Sequence, residues 1–170
     1  MSLRDIKLLA KARKHNFQPV LNIKYVREFE NKYDIVLPES YVDLLTKYGN
    51  GGVVSDLTLF PLDRAEAESA FWLRRKSGEV FLDKTDMGSE FAGLCSQAEL
   101  NDERYDEILA AILNGALMIG SLGCTMYAVL MCRGKNYGSV GIVDTDLGDG
   151  SQPRFVSRDL KDWLLEYPGR

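Results

Sequence analysis

Apolar positions recur at helical spacing through the first half of the chain and switch to strand spacing after residue 115. Leu3, Ile6, Leu9 and Ala10 predict a short amphipathic helix at the start. A second helix is predicted after Asn22, with Ile23, Val26, Phe29 and Tyr33 along one side. The third signal is the clearest. Pro38 suits a first helical position, Glu39 suits the positive end of the dipole, and Tyr41, Leu44, Leu45 and Tyr48 recur at helical spacing. Gly49-Asn50-Gly51-Gly52 then stops that helix, because Gly and Asn tolerate left-handed backbone.

Leu57–Phe60 predicts a strand, and Asp63 with Glu66 predicts a capped helix start ahead of Ala67, Ala70 and Phe71. Glu79–Leu82 predicts a further strand. Tyr105, Ile108, Leu109, Ile112 and Leu113 form a strong helical face closed by Asn114-Gly115. Leu117–Ile119, Thr125–Cys132 and Ser139–Val143 then predict strands, with Arg133–Asn136 as a hairpin loop. A short strand at Phe155-Val156 leads to Ser157 as an N-cap. The closing helix carries Leu160, Trp163, Leu164 and Tyr167 and stops at Pro168-Gly169. Helices early, an antiparallel meander late and a closing helix predict an α+β fold: one domain with an antiparallel central sheet flanked by helices.

Composition narrows the function classes. At 170 residues, 45% hydrophobic and 27% charged, the chain has ordinary globular composition. The net charge of −4 argues against nonspecific binding to nucleic acid or to a membrane surface. Charge is uneven, however: Arg4, Lys7, Lys11, Arg13 and Lys14 against Asp5 give residues 1–15 a balance of +4, which leaves −8 on the rest. Residues 1–19 therefore read as a basic amino-terminal helix on an acidic body. The opening residues do not read as a secretory signal, and no apolar run approaches the ~18 residues that span a bilayer. Cys95, Cys124 and Cys132 are odd in number and form no C-x-x-C pattern, which fits reduced thiols in a cytoplasm.

Glu30-Asn31-Lys32-Tyr33-Asp34-Ile35-Val36-Leu37-Pro38, followed by Tyr41, Leu44-Leu45 and Asn50-Gly51-Gly52, resembles the signature of the SUKH superfamily. Met118–Gly123 resembles its apolar strand and glycine turn. Gly141–Asp144, Phe155–Ser157 and the helix through Trp163-Leu164 resemble its last strands and closing helix. The resemblance covers residues 20–167 and departs from the pattern in three places. Gly49 adds a residue before Asn50, Leu44 stands where the family often has an aromatic, and Cys124 stands where it often has an acid. Members resemble one another in fold but differ in biological role. Many bacterial ones neutralise a cognate toxin, often a nuclease, and a fungal branch regulates cell-wall synthesis. What the resemblance implies is binding to a protein partner rather than turnover.

The residues agree with that implication. His15 is the sole histidine, so a triad has no second choice of base, and no P-loop, G-x-S-x-G or H-E-x-x-H occurs. Cys124 and Cys132 share one strand parity and read as small buried hydrophobes. Asp144-Thr145-Asp146-Leu147-Gly148-Asp149-Gly150 fails as a calcium loop. Gly148 takes the place of an oxygen ligand, and Phe155 takes the place of the closing Glu. No catalytic, cofactor or metal residue is therefore assigned. An acidic turn is the better description, and it suits a basic partner surface, such as that of a nuclease-type toxin. Arg74 and Arg75 complement the carbonyl end of their helix dipole. Trp72, on the opposite side from Phe71, is expected to be an exposed anchor. The expected partner contacts are thus Trp72, Arg74, Arg75, Asp144, Asp146 and Asp149.

Overall fold

The computed structural model describes residues 3–14, 17–75, 80–83, 91–96, 104–147 and 151–167. His15, Glu79, Asp149 and the Pro168-Gly169 stop lie outside these described residues. Within them, six strands form one antiparallel sheet in chain order: β1 (Gly52–Val54), β2 (Leu57–Leu59), β3 (Ala116–Gly123), β4 (Met126–Met131), β5 (Val140–Asp144) and β6 (Arg154–Ser157). Three helices precede the sheet: α1 (Leu3–Lys14), α2 (Ile23–Tyr33) and α3 (Glu39–Asp43). Between β2 and β3 come α4 (Leu62–Leu73), a 3-10 turn (Phe81–Asp83), α5 (91–96) and α6 (Tyr105–Ile112). α7 (Leu160–Glu166) closes the chain. This is the predicted α+β fold.

The early signature residues hold the first helices of this fold in place. Asn22 caps α2 by accepting from the Lys24 N–H at 2.9 Å. Asp34 ends α2 in left-handed backbone with φ 54°. Glu30 is buried; its Oε1 accepts from the Leu37 N–H at 2.8 Å and its Oε2 meets Arg27 Nη1 at 2.5 Å. That carboxylate fixes the bend into Leu37-Pro38, and Pro38 takes the N-cap of α3, one residue earlier than predicted. α3 continues into a π-helical turn, Leu44–Tyr48, whose last bond runs from the Gly49 N–H to the Leu44 carbonyl at 2.8 Å. A π turn holds one residue more than an α turn, which accommodates the surplus that Gly49 makes against the SUKH pattern. Phe17 seats on this turn so closely that a Cβ at Gly49 would lie 2.6 Å from its own Cβ. Gly51, at φ 88°, has the Pro61 nitrogen 2.7 Å from where a Cβ would stand.

The strand registers put Met118, Tyr127, Val129 and Val143 on one face of the sheet and Ala128, Leu130 and Ile142 on the other. Both faces are covered, so the middle strands read as nearly continuous apolar runs. α7 packs on α1 and α3, and α1 packs on the π-helical turn that follows α3. Lys161 of α7 bonds Asp43 of α3 and lies 3.5 Å from Asp5 of α1, which also accepts from the Tyr48 hydroxyl at 2.6 Å. Lys11 of α1 donates to the carbonyls of Leu164 (2.5 Å) and Tyr167 (3.1 Å), capping the end of α7. Burial pushes the Asp43 carboxyl upward, but hydrogen bonds and charge from Lys161 and Lys47 outweigh it and hold the group below its ordinary value.

Several local expectations are corrected. The buried α1 side chains include Leu8 and Ala12, while Ala10 is exposed, because the helix is oriented by its Asp5 and Lys11 anchors. Asp63 lies inside the first turn of α4; Asn50 does the capping from twelve residues away, its Oδ1 accepting from the Leu62 N–H at 2.8 Å. In place of a strand ending at Leu82 there is a 3-10 turn, pinned where Asp83 accepts from the Lys135 and Asn136 N–H groups at 2.7 and 3.0 Å. Asp159, not Ser157, caps α7, accepting from the N–H groups of Lys161 (2.8 Å) and Asp162 (3.1 Å). Cys95 and Cys132 are buried, but Cys124 is exposed in the β3–β4 turn with φ 46° and so does not share a strand with Cys132.

Candidate functional site: the groove between α4 and α6

α4 is placed by an unfinished sheet edge. β2 pairs with β3 at Ser121 and Gly120 only, so the backbone of Ala116 and Met118, paired with β4 on one side, has no strand on the other. Unpaired polar backbone under a helix is costly, and α4 supplies both partners. The Met118 N–H donates to Ser69 Oγ at 2.9 Å, and the Trp72 indole N–H donates to the Ala116 carbonyl at 2.9 Å. The buried stripe of α4 is therefore Leu62, Ala65, Ser69, Trp72 and Leu73. This reverses the expected exposure: Trp72 is 5% exposed, whereas Phe71 is 53% exposed. A tryptophan is used inside because its N–H is what the β3 edge needs.

Where α4 and α6 diverge over the sheet, they leave a groove of about 370 Å³. Trp72, Met118 and Tyr127 form its floor, Glu68 and Phe71 one wall, and Tyr105, Asp106 and Leu109 the other, with Thr145 at the end. No Lys or Arg is among these lining residues. Tyr105 bonds the Thr145 carbonyl, joining α6 to the segment after β5. Its phenol is pushed above its ordinary value chiefly by burial, against the opposing effect of the Thr145 side chain, and further by the charges of Asp146, Asp106 and Asp144. The groove is thus aromatic in its walls and negative in its field.

The expected contact residues divide around it. Trp72 lies in the floor. Asp144 and Asp146 stand close enough to Tyr105 to act on it, and Asp144 accepts from the Asp146 N–H at 2.9 Å in an Asx turn. Arg75 reaches the rim, its guanidinium 5.5 Å from the centre of the Phe71 ring, while its carbonyl accepts from Arg133 at 2.7 Å. Arg74 acts on Glu66 and Tyr33, toward α2. Glu68, Phe71, Tyr105, Asp106 and Tyr127 were not among the expected residues. They belong to three elements and meet only through the packing of α4 and α6 on the sheet.

The Cys132 thiol is buried and pushed up to about 12, chiefly by burial, so it is protonated at neutral pH and is no thiolate nucleophile. Among the described residues, no three His, Cys, Asp or Glu side chains converge to hold a metal ion. None of their helices is long and apolar enough to cross a membrane.

The model of the SMI1 / KNR4 family (SUKH-1) matches residues 21–166. The chain belongs to this family. Among curated proteins, none matches it. The SMI1/KNR4 match takes in α2 through α7, and with them both helices of the groove; α1 and Phe17 lie before it. Glu30, Asn50 and Gly51 thus act structurally in this SUKH-1 chain, as a bend clamp, a helix cap and a tight turn.

Proposed function

We propose that this SUKH-1 chain is a protein-binding module that occludes a basic partner by seating one of its segments in the groove between α4 and α6. The carrying observation is the lining: Glu68 and Asp106 with four aromatic rings, Asp144 and Asp146 beside them, and no cation among the lining residues. Carboxylates over a partly apolar floor attract a positively charged segment at long range and hold its aliphatic and planar parts at short range. The family supports two settings for such a module. In the favoured one it is an immunity protein, and the partner is a nuclease-type toxin whose nucleic-acid-binding surface is necessarily basic. In the other it is a regulatory or scaffolding subunit. Cys124 and Cys132 are free thiols, which suits action in a reducing cytoplasm.

Co-expression with the products of neighbouring genes tests this function. Protection from a toxic neighbour, lost in the Glu68→Lys/Asp106→Lys variant, supports the immunity setting. A stable complex with a non-toxic partner that is equally sensitive to that variant supports the regulatory one. Binding that is indifferent to the variant contradicts the groove as the interface.

A further inference from the structure

The rim of the groove already carries two guanidinium groups, both from α4 or its end. Arg64 Cζ lies 4.0 Å from the centre of the Phe60 ring, and its Nε is 3.5 Å from Glu68 Oε1. Phe60 in turn packs against the groove residue Tyr127, with ring centroids 6.3 Å apart. Arg75 lies over Phe71. Each arginine thus has a ring beneath it, and Arg64 has a groove carboxylate beside it as well. The Arg64–Glu68 pair is exposed and readily exchanged: its side chains are 51% and 37% accessible.

We infer that the partner group this groove selects is an arginine guanidinium rather than a lysine ammonium, and that Arg64 and Arg75 are internal competitors for that group's sites at the rim. The inference rests on the proposed function and adds the chemistry of the bound side chain. A guanidinium is planar and weakly hydrated, stacks on aromatic faces and presents a fork of donors to a carboxylate; an ammonium is a compact, strongly hydrated point charge. Phe71, Trp72, Tyr105 and Tyr127 supply rings, while Glu68 and Asp106 stand on opposite walls as acceptors. In the free protein Arg64 lies 3.5 Å from Glu68, so a partner arginine must displace it to use both walls.

The test is an NMR titration of the full chain, labelled with nitrogen-15, using two blocked pentapeptides: glycines alternating with two arginines, and the same with two lysines. The Trp72 indole N–H, distinguished from that of Trp163 by Trp163→Phe, reports on the groove floor. Saturable shifts at Trp72 and Asp106 are expected, with the arginine peptide about threefold to fivefold tighter. Binding is lost in Glu68→Gln/Asp106→Asn. Arg64→Ala tightens the arginine peptide about twofold at low salt, and Arg64→Lys, which keeps the charge but not the plane, has a smaller effect. Equal affinity for both peptides overturns the arginine preference and leaves the protein-binding function standing. Shifts that avoid the groove overturn the preference. If co-expression also gives a complex indifferent to Glu68→Lys/Asp106→Lys, the proposed interface falls with it.

Discussion

Two grooves of nearly equal size flank α4, about 380 Å³ on the α2 side and about 370 Å³ on the α6 side. Size does not separate them; a cation in the lining does, since Lys32 lines the first and no Lys or Arg lines the second. On the α2 side, Glu66 bonds Lys32 at 2.5 Å and the Tyr33 hydroxyl at 2.9 Å, Glu28 has Lys24 at 3.7 Å, and Asn50 is occupied as the cap of α4. Hydrogen bonding and charge from Lys32, with the Tyr33 hydrogen bond, overcome the upward push of burial and hold Glu66 below its ordinary value. On the α6 side, Asp106, Asp144 and Asp146 act on Tyr105, Glu68 lines the same groove, and Arg64 lies 3.5 Å from Glu68 at the rim. The α2-side charges belong to the fold. Those on the α6 side line or adjoin a groove with no Lys or Arg among its lining residues, and that acidic lining is what the proposed partner of opposite sign would read.

The strongest way to break the comparison is to remove the shared wall. Trp72→Ala takes the floor from one groove and the edge cover from β3, and is expected to cost about 3–5 kcal/mol in chemical denaturation. Tyr25→Ala, at an exposed ring on the α2 side, stays within about 0.5 kcal/mol of wild type. Next comes charge reversal. Glu68→Lys/Asp106→Lys is expected to weaken partner binding on the order of 100-fold, while Glu28→Lys/Asp63→Lys on the α2 side changes it less than about threefold. Ser69→Ala strands the buried Met118 N–H and is expected to cost about 1–3 kcal/mol, with groove charge and binding at saturation intact.

Paired charge acts on stability instead, and pH separates the two roles. Because the folded Asp43 carboxyl lies below its unfolded value, its contribution is full above about pH 4 and is lost as pH falls through the folded value. Asp43→Asn is therefore expected to be less stable than wild type near neutrality and to converge on it in acid, as thermal unfolding from pH 7 down to pH 2 would show. The smallest effect belongs to Glu66→Gln. Its pair with Lys32 is solvent-exposed, so the midpoint of thermal unfolding should move by a few degrees at most and partner binding not at all.

Local chemistry made much of the fold legible. Asn22 and Leu37-Pro38 act on neighbours within a turn or two, Gly49 closes the π turn just before it, and the apolar runs of β3, β4 and β5 follow from a sheet covered on both faces. What misled were positions whose partner is distant in sequence. Asn50 caps a helix twelve residues on, and Asp83 makes a turn of an apparent strand by binding a loop more than fifty residues away. Ser69 is polar, yet it sits at the centre of the buried stripe of α4, because a strand edge forty-nine residues on needs its oxygen. The same β3 edge selected Trp72 over Phe71 for the interior. The groove was legible only in fragments. Its acidic end showed as Asp144 and Asp146, but Glu68 and Asp106 lie on helices whose apposition no local pattern encodes.

The most direct test is calorimetric titration of the partner recovered with the wild-type chain, repeated with Glu68→Lys/Asp106→Lys and with Glu28→Lys/Asp63→Lys at two salt concentrations. If the acidic groove between α4 and α6 is the interface, the first variant alone loses binding and the wild-type affinity falls as salt rises. Loss in the second variant with retention in the first would contradict this and move the interface to the other side of α4.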